Sequence, residues 1–159
     1  MPGRGGHYSH LQVLEASRRM DGTPMGATLV AARVTATDVF VAHVGDSRCY
    51  TLKDRQLRRI TRDHSMKEAE RSMLPSHLLL PEGRRIKANP NALFQVLGRG
   101  SRQNLKPGLV RLDRRAVDAL LLVSDGVSGV LTERRIAEIL GSGFDPIDAV
   151  LSILEQIEA

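Results

Sequence analysis

The chain has 159 residues, 42% of them hydrophobic and only 3% aromatic with no Trp, so one domain with a moderate core of Leu, Val, Ile, Ala and Met is expected. The single cysteine, Cys49, excludes an internal disulfide; no apolar run is long enough for a membrane span and the first residues lack the pattern of a signal peptide, so a cytoplasmic protein without a membrane partner is expected. Basic residues outnumber acidic ones 23 to 18, a net charge of +5, but they fall as scattered doublets such as Arg18-Arg19 and Arg134-Arg135 without interleaved aromatics, which argues against nucleic acid.

Residues 1–24 read as irregular around a short helix, Leu11 to Arg19, closed by the turn Asp21-Gly22-Thr23-Pro24. Thr28 to Val34 and Asp38 to Val44 are strands whose nearly continuous apolar runs predict burial on both faces. Ser47 to Lys53 and Gln56 to Ile60 form a hairpin through Asp54-Arg55, and such short connectors imply antiparallel pairing. Asp63 or Ser65 caps a helix within Thr61 to Ser72. Residues 74–90, with Pro75, Pro81, Gly83 and Pro90, form an irregular excursion, followed by a short helix over Asn91 to Leu97. Gly108 to Leu112 and Ala119 to Val123 read as a further strand pair joined through Asp113-Arg114-Arg115. Thr132 caps a helix through Leu140, and Asp145-Pro146 opens a last amphipathic helix whose apolar face is Ile147, Val150, Leu151 and Leu154. Strands followed by helices with antiparallel connections indicate an α+β layered domain spanning 1–159.

Two acidic turns carry the chemistry. In Val39-Phe40-Val41-Ala42-His43-Val44-Gly45-Asp46-Ser47-Arg48 and in Ala119-Leu120-Leu121-Leu122-Val123-Ser124-Asp125-Gly126, a β-rich run delivers an aspartate to the point where strand gives way to turn. Carboxylates held there suit a hard cation, which takes oxygen ligands. Taken singly, Gly-Asp and Asp-Gly are also ordinary turn dipeptides. Three further stretches change that balance: Met25-Gly26-Ala27-Thr28-Leu29-Val30-Ala31-Ala32, Ile60-Thr61-Arg62-Asp63-His64-Ser65 and Asn91-Ala92-Leu93-Phe94-Gln95-Val96-Leu97-Gly98. With the two acidic turns they make five blocks over roughly residues 25–140, in an order and spacing that resemble the PPM family, the metal-dependent type 2C protein serine/threonine phosphatases, in the bacterial style.

That resemblance implies an α/β/β/α sandwich, here truncated, and hydrolysis of phosphoserine or phosphothreonine by water activated on Mn²⁺ or Mg²⁺. It assigns Asp125 to the core metal and Asp46 to an additional, weaker metal site, with Gly45 and Gly126 as turn glycines. It places a flap beside the active site over 74–90, making Arg84, Arg85 and Lys87 candidates for binding substrate. The chain departs from the family at both ends. An Asp-Gly-x-Gly-Gly-His turn is expected, and the nearest stretch, Pro2-Gly3-Arg4-Gly5-Gly6-His7, has Pro2 in the aspartate's place; an acidic opening strand and a closing Asp-Asn are not found. With several metal ligands missing, impaired catalysis is expected, and the alternative is an inactive pseudophosphatase acting as a protein-binding module. The partner is accordingly a phosphoprotein or another protein, in signalling.

Other residues have plainer expected roles. Cys49 reads as a buried thiol, His43 as a packed histidine, His64 as fixing a loop, Arg48 as a fixed ion-pair partner, and His7 and His10 as exposed. Ser47 and Ser124 lack a nearby base that would make either a nucleophile.

Overall fold

The computed structural model describes residues 4–19, 25–71, 89–99, 105–143 and 145–158. Its elements run α1 (Arg4–Arg19), β1 (Leu29–Val34), β2 (Asp38–Val44), β3 (Arg48–Lys53), β4 (Gln56–Arg59), α2 (Met66–Arg71), β5 (Gly108–Asp113), β6 (Ala119–Val123), α3 (Asp125–Ser128), α4 (Glu133–Gly141) and α5 (Pro146–Glu158). The strands make two sheets, ordered β1-β2-β5 and β4-β3-β6. Contacts divide the chain into two compact units, one within residues 1–29, 42–46 and 62–108, the other within 30–41, 47–61 and 109–159.

In the first unit, α1 begins earlier than its sequence suggests, at Arg4 rather than Leu11. Tertiary anchoring explains the longer helix, because most helical stability comes from packing rather than propensity. Val13 packs against the cluster of Val44, Leu97 and Leu105. His10, expected at the surface, is fully buried at 0% exposure, and its Nδ1 accepts the N–H of Gly98 at 3.1 Å. The helix expected over 91–97 is replaced by turns and two isolated bridges, Ala27 with Leu97 and Ser65 with Leu93. Reciprocal bonds between Ala27 and Leu97, at 3.1 and 2.8 Å, and the Phe94 N–H to His64 carbonyl bond at 3.0 Å take the groups a helix would have used. Of the two proposed caps for α2, Ser65 serves: its hydroxyl accepts the Glu68 N–H at 3.3 Å.

In the second unit the two sheets face one another across a shared cluster. Val39 and Val41 of β2, Cys49 of β3 and Val117 form its buried centre, with Val30, Val110, Leu112 and Leu120 packed around it. The β3–β4 hairpin turns at Asp54 and Arg55, both with positive φ (48° and 62°), as a two-residue primed turn requires. Asp118 holds that turn, accepting from the Asp54 N–H at 3.0 Å and the Lys53 ammonium at 2.8 Å. β3 pairs antiparallel with β4 (Tyr50 opposite Arg59) and with β6 (Arg48 opposite Val123).

Three expectations fail in this unit. The run 108–112 and the run 119–123 are not partners, since β5 joins the first sheet and β6 the second. The connection, with Asp113 capping a 3-10 turn over Arg114–Ala116, carries the chain across the shared core, so Leu112 and Leu120 reach the same cluster from different sheets. Burial on both faces does not hold either: Ala31 to Val34 are exposed and β2 alternates, with Phe40 outward between buried Val39 and Val41. Arg111 lies over that outward ring at 5.7 Å and pairs with Asp38 at 2.6 Å. Finally, α5 is turned over. Ala149 and Ile153 are its buried residues, clustered with Ile139 and flanked by Leu121, Val127, Leu131, Leu140 and Ile157. The predicted apolar face, Ile147, Val150, Leu151 and Leu154, points outward.

Candidate functional site

The turn bearing Asp46 belongs to the first unit. β2 brings the chain in through buried His43 and Val44, and Gly45 then adopts φ +94°, where a Cβ would also collide with the Thr28 side chain. Only glycine fits such a position without strain. His64 brackets this residue from both sides: its Nδ1 accepts the Gly45 N–H at 3.2 Å and its own N–H donates to the Gly45 carbonyl at 2.9 Å. The imidazole stacks on His43 at 4.8 Å between ring centres and leans on Phe94 at 5.6 Å. Burial, reinforced by the neighbouring His43 and opposed by Asp63, lowers the His64 pKa from 6.5 to about 4. His64 is therefore neutral near pH 7, and with Nδ1 accepting, the proton sits on Nε2. Asp46 itself is half-buried and is followed by buried Ser47.

Asp125 belongs to the second unit. β6 ends at Val123 and Asp125 is the first residue of α3, exposed, with Ser124 preceding it in extended conformation. Its carbonyl accepts the Gly129 N–H at 2.7 Å, closing the short helix. Gly126 differs from expectation. It lies inside α3 without a positive φ, and a Cβ there would meet nothing closer than the Ser124 hydroxyl at 3.4 Å, so no left-handed turn requires glycine at this position.

Around β3, Arg48 donates to the Tyr50 hydroxyl at 3.5 Å, which in turn donates to Glu133 at 3.4 Å. The guanidinium thus reaches a carboxylate through an intervening hydroxyl. Cys49 is buried, its N–H held by the Thr61 hydroxyl at 2.9 Å, and desolvation pushes its thiol up to about 11; a thiol so raised is no nucleophile. Arg84, Arg85 and Lys87 lie outside the described residues.

Oxygen-rich coordination by several carboxylates is what Mn²⁺ or Mg²⁺ needs. Among the described residues no group of three or more His, Cys, Asp or Glu is placed to hold a metal ion; Asp46 belongs to one unit and Asp125 to the other. Among the described residues no helix is long and apolar enough to cross a membrane. His64 fixes a loop, as its sequence suggests; what the sequence does not name is the loop it holds, the turn at Gly45, 19 residues away.

Comparison with known proteins gives a consistent answer. The family model described as protein phosphatase 2C matches residues 8–156. The serine/threonine phosphatase stp of Listeria welshimeri is 35% identical over 130 residues, 82% of this chain and 50% of that protein. The chain thus spans about half the length of the curated relatives it matches. Among solved structures, the serine/threonine phosphatase Stp1 from Staphylococcus aureus superposes with a TM-score of 0.76 at 24% identity, covering 96% of this chain and 58% of that one. The catalytic domain of the serine/threonine protein phosphatase PstP, solved in complex with two manganese ions, gives 0.69 at 22% identity, covering 93% and 59%. These likenesses identify the fold, an α+β phosphatase domain.

Proposed function

This chain belongs to the protein phosphatase 2C family, and from that premise we propose that it acts on proteins phosphorylated at serine or threonine, as a phosphatase domain dependent on Mn²⁺ or Mg²⁺. The observation carrying the reading is Asp125, an exposed carboxylate set at the end of β6 as the first residue of α3, inside a family match that spans residues 8–156. Divalent ions in such enzymes supply an activated water and neutralise phosphate charge. In this reading Asp125 and Asp46 are ligands, Gly45 and His64 fix the turn that presents Asp46, and Arg84, Arg85 and Lys87 contact substrate. A cytoplasmic location belongs to the same proposal. The manganese ions of the PstP domain support the choice of ion.

The test is hydrolysis of p-nitrophenyl phosphate and of a phosphothreonine peptide by the purified chain, with and without millimolar Mn²⁺. The expected result is Mn²⁺-stimulated release of phosphate, abolished in Asp125→Asn. A wild-type rate no higher than that of Asp125→Asn would refute the catalytic reading.

One observation favours a second reading: among the described residues no cluster of three or more metal-binding side chains forms. In this reading the chain is a pseudophosphatase that binds a protein partner without turnover. Calorimetric titration separates the two, since binding of two Mn²⁺ ions per chain contradicts the pseudophosphatase, whereas phosphopeptide binding with no Mn²⁺ uptake supports it.

A further inference from the structure

The outward face of α5 carries four large aliphatic side chains in one row. Ile147, Val150, Leu151 and Leu154 are 69%, 48%, 52% and 48% exposed, and their spacing of i, i+3, i+4 and i+7 places them on a single stripe. The opposite side of the helix already has its partners, with Ala149 and Ile153 buried against Ile139. The outward stripe is therefore a second apolar face on a helix whose first face builds the core. Contiguous apolar surface of this kind marks an interaction site more often than scattered single residues do.

Charge decides what the stripe accepts. Asp148 and Glu155 are both exposed and lie seven residues apart, so they line one flank of the stripe, and Glu158 stands beyond its end. The helix contains no Lys or Arg, although the chain as a whole carries a net charge of +5. The helix itself is thus acidic on a basic protein, and the Arg135 guanidinium of α4 that reaches it donates to Gln156, which lies on the side of the helix away from the stripe. A second copy of the chain would bring the same acidic flank, and antiparallel pairing of two such helices would set like charges against each other.

We propose that the outward face of α5 is a docking seam for an amphipathic helix of another protein, one with aliphatic residues at the same spacing and Lys or Arg along the flank that meets Asp148 and Glu155. Apolar anchors supply affinity in helix-to-helix recognition of this type, and flanking charges select the partner. The seam does not depend on phosphoester hydrolysis, so loss of catalysis leaves it intact.

The test uses the full chain and a fluorescently labelled synthetic helix of about five turns, with leucines at i, i+3, i+4 and i+7 and lysines on one flank, alongside a sister peptide carrying glutamates instead. Fluorescence anisotropy is expected to show the lysine peptide binding at least about tenfold more tightly than the glutamate peptide, with binding weakened by salt. Ile147→Gln with Leu154→Gln should abolish it; both positions are solvent-facing, so an unchanged circular dichroism melt verifies folding. A second variant, Asp148→Lys with Glu155→Lys, should reverse the preference toward the glutamate peptide. Equal binding of both peptides, or binding that survives the glutamine pair, overturns the proposal. So does sedimentation showing wild-type dimers that the glutamine pair dissociates, which would assign the seam to a second copy. Seam-dependent binding to neutral lipid vesicles with no preference between peptides would also overturn it.

Discussion

The two glycines beside the two aspartates should respond to the same substitution in opposite ways. Gly45→Ala puts a Cβ on a residue at φ +94° and drives it into the Thr28 side chain. Left-handed backbone costs a non-glycine residue about 1–2 kcal/mol, and overpacking adds about 1–3 kcal/mol, for a loss near 3 kcal/mol. A domain of this size loses about 2–4 °C of Tm per kcal/mol, so the melting midpoint should fall by about 6–12 °C. Gly126→Ala meets only the Ser124 hydroxyl, at 3.4 Å, in a helical segment, where alanine is the better helix former by up to about 1 kcal/mol. Its midpoint should hold or rise slightly. Thermal unfolding followed by circular dichroism compares the two directly. Thr28→Ser, which removes the methyl that the new Cβ strikes, should recover part of the Gly45→Ala loss and leave the backbone share. A Gly45→Ala midpoint within about 2 °C of wild type, or equal losses from both glycines, would refute the geometry given for the Asp46 turn.

Other outcomes follow from the buried groups. Because burial, then His43, holds the folded His64 pKa near 4 rather than 6.5, the unfolded chain takes up that proton first as pH falls. The His64 share of stability is therefore complete above about pH 6.5 and is lost progressively toward pH 4. Urea midpoints across that range should show the decline, and His64→Asn, which keeps an acceptor near the Nδ1 position, should flatten it; an unchanged slope would count against His64. Cys49, fully buried with its thiol raised to about 11, should resist a disulfide-exchange reagent until urea unfolds the protein, and prompt labelling of the native chain would contradict its placement. His10→Ala removes the acceptor for the Gly98 N–H along with fully buried volume. It should cost about 2–4 kcal/mol, read as a fall in the urea midpoint at unchanged m-value.

What the sequence made legible was whatever local chemistry decides. β2 and β6 begin and end where apolar runs meet turn residues. Asp54-Arg55 turns the hairpin, Ser65 caps α2, and Thr132 caps α4 by accepting the Arg135 N–H at 3.2 Å. Each of these signals lies within a few residues of the feature it sets. The misses share the opposite property. Whether Gly108 to Leu112 pairs with Ala119 to Val123 depends on which sheet has a free edge, and no connector length encodes that. His10 reads as a surface histidine until its acceptor is seen to serve an N–H 88 residues away.

The helix α5 shows the limit most sharply, because its sequence contains two apolar stripes and periodicity alone cannot rank them. Ile147, Val150, Leu151 and Leu154 form the bulkier stripe, and a hydrophobic count selects it for the core. The fold instead seats the slimmer side, where Ala149 and Ile153 fit against Ile139. Ala149 and Ile153 share their buried cluster with Ile139 of α4, and Leu121, Val127, Leu131, Leu140 and Ile157 pack around it. Partners elsewhere in the chain decide which stripe is core, and the more hydrophobic one is left exposed. The Asp46 turn is the same problem in another form, since its Gly-Asp dipeptide is written locally while the side chain that holds it lies 19 residues away. Asp46 and Asp125 were both legible as strand-end carboxylates, but the side chain that fixes the Asp46 turn is His64, which a one-dimensional reading places in a different block.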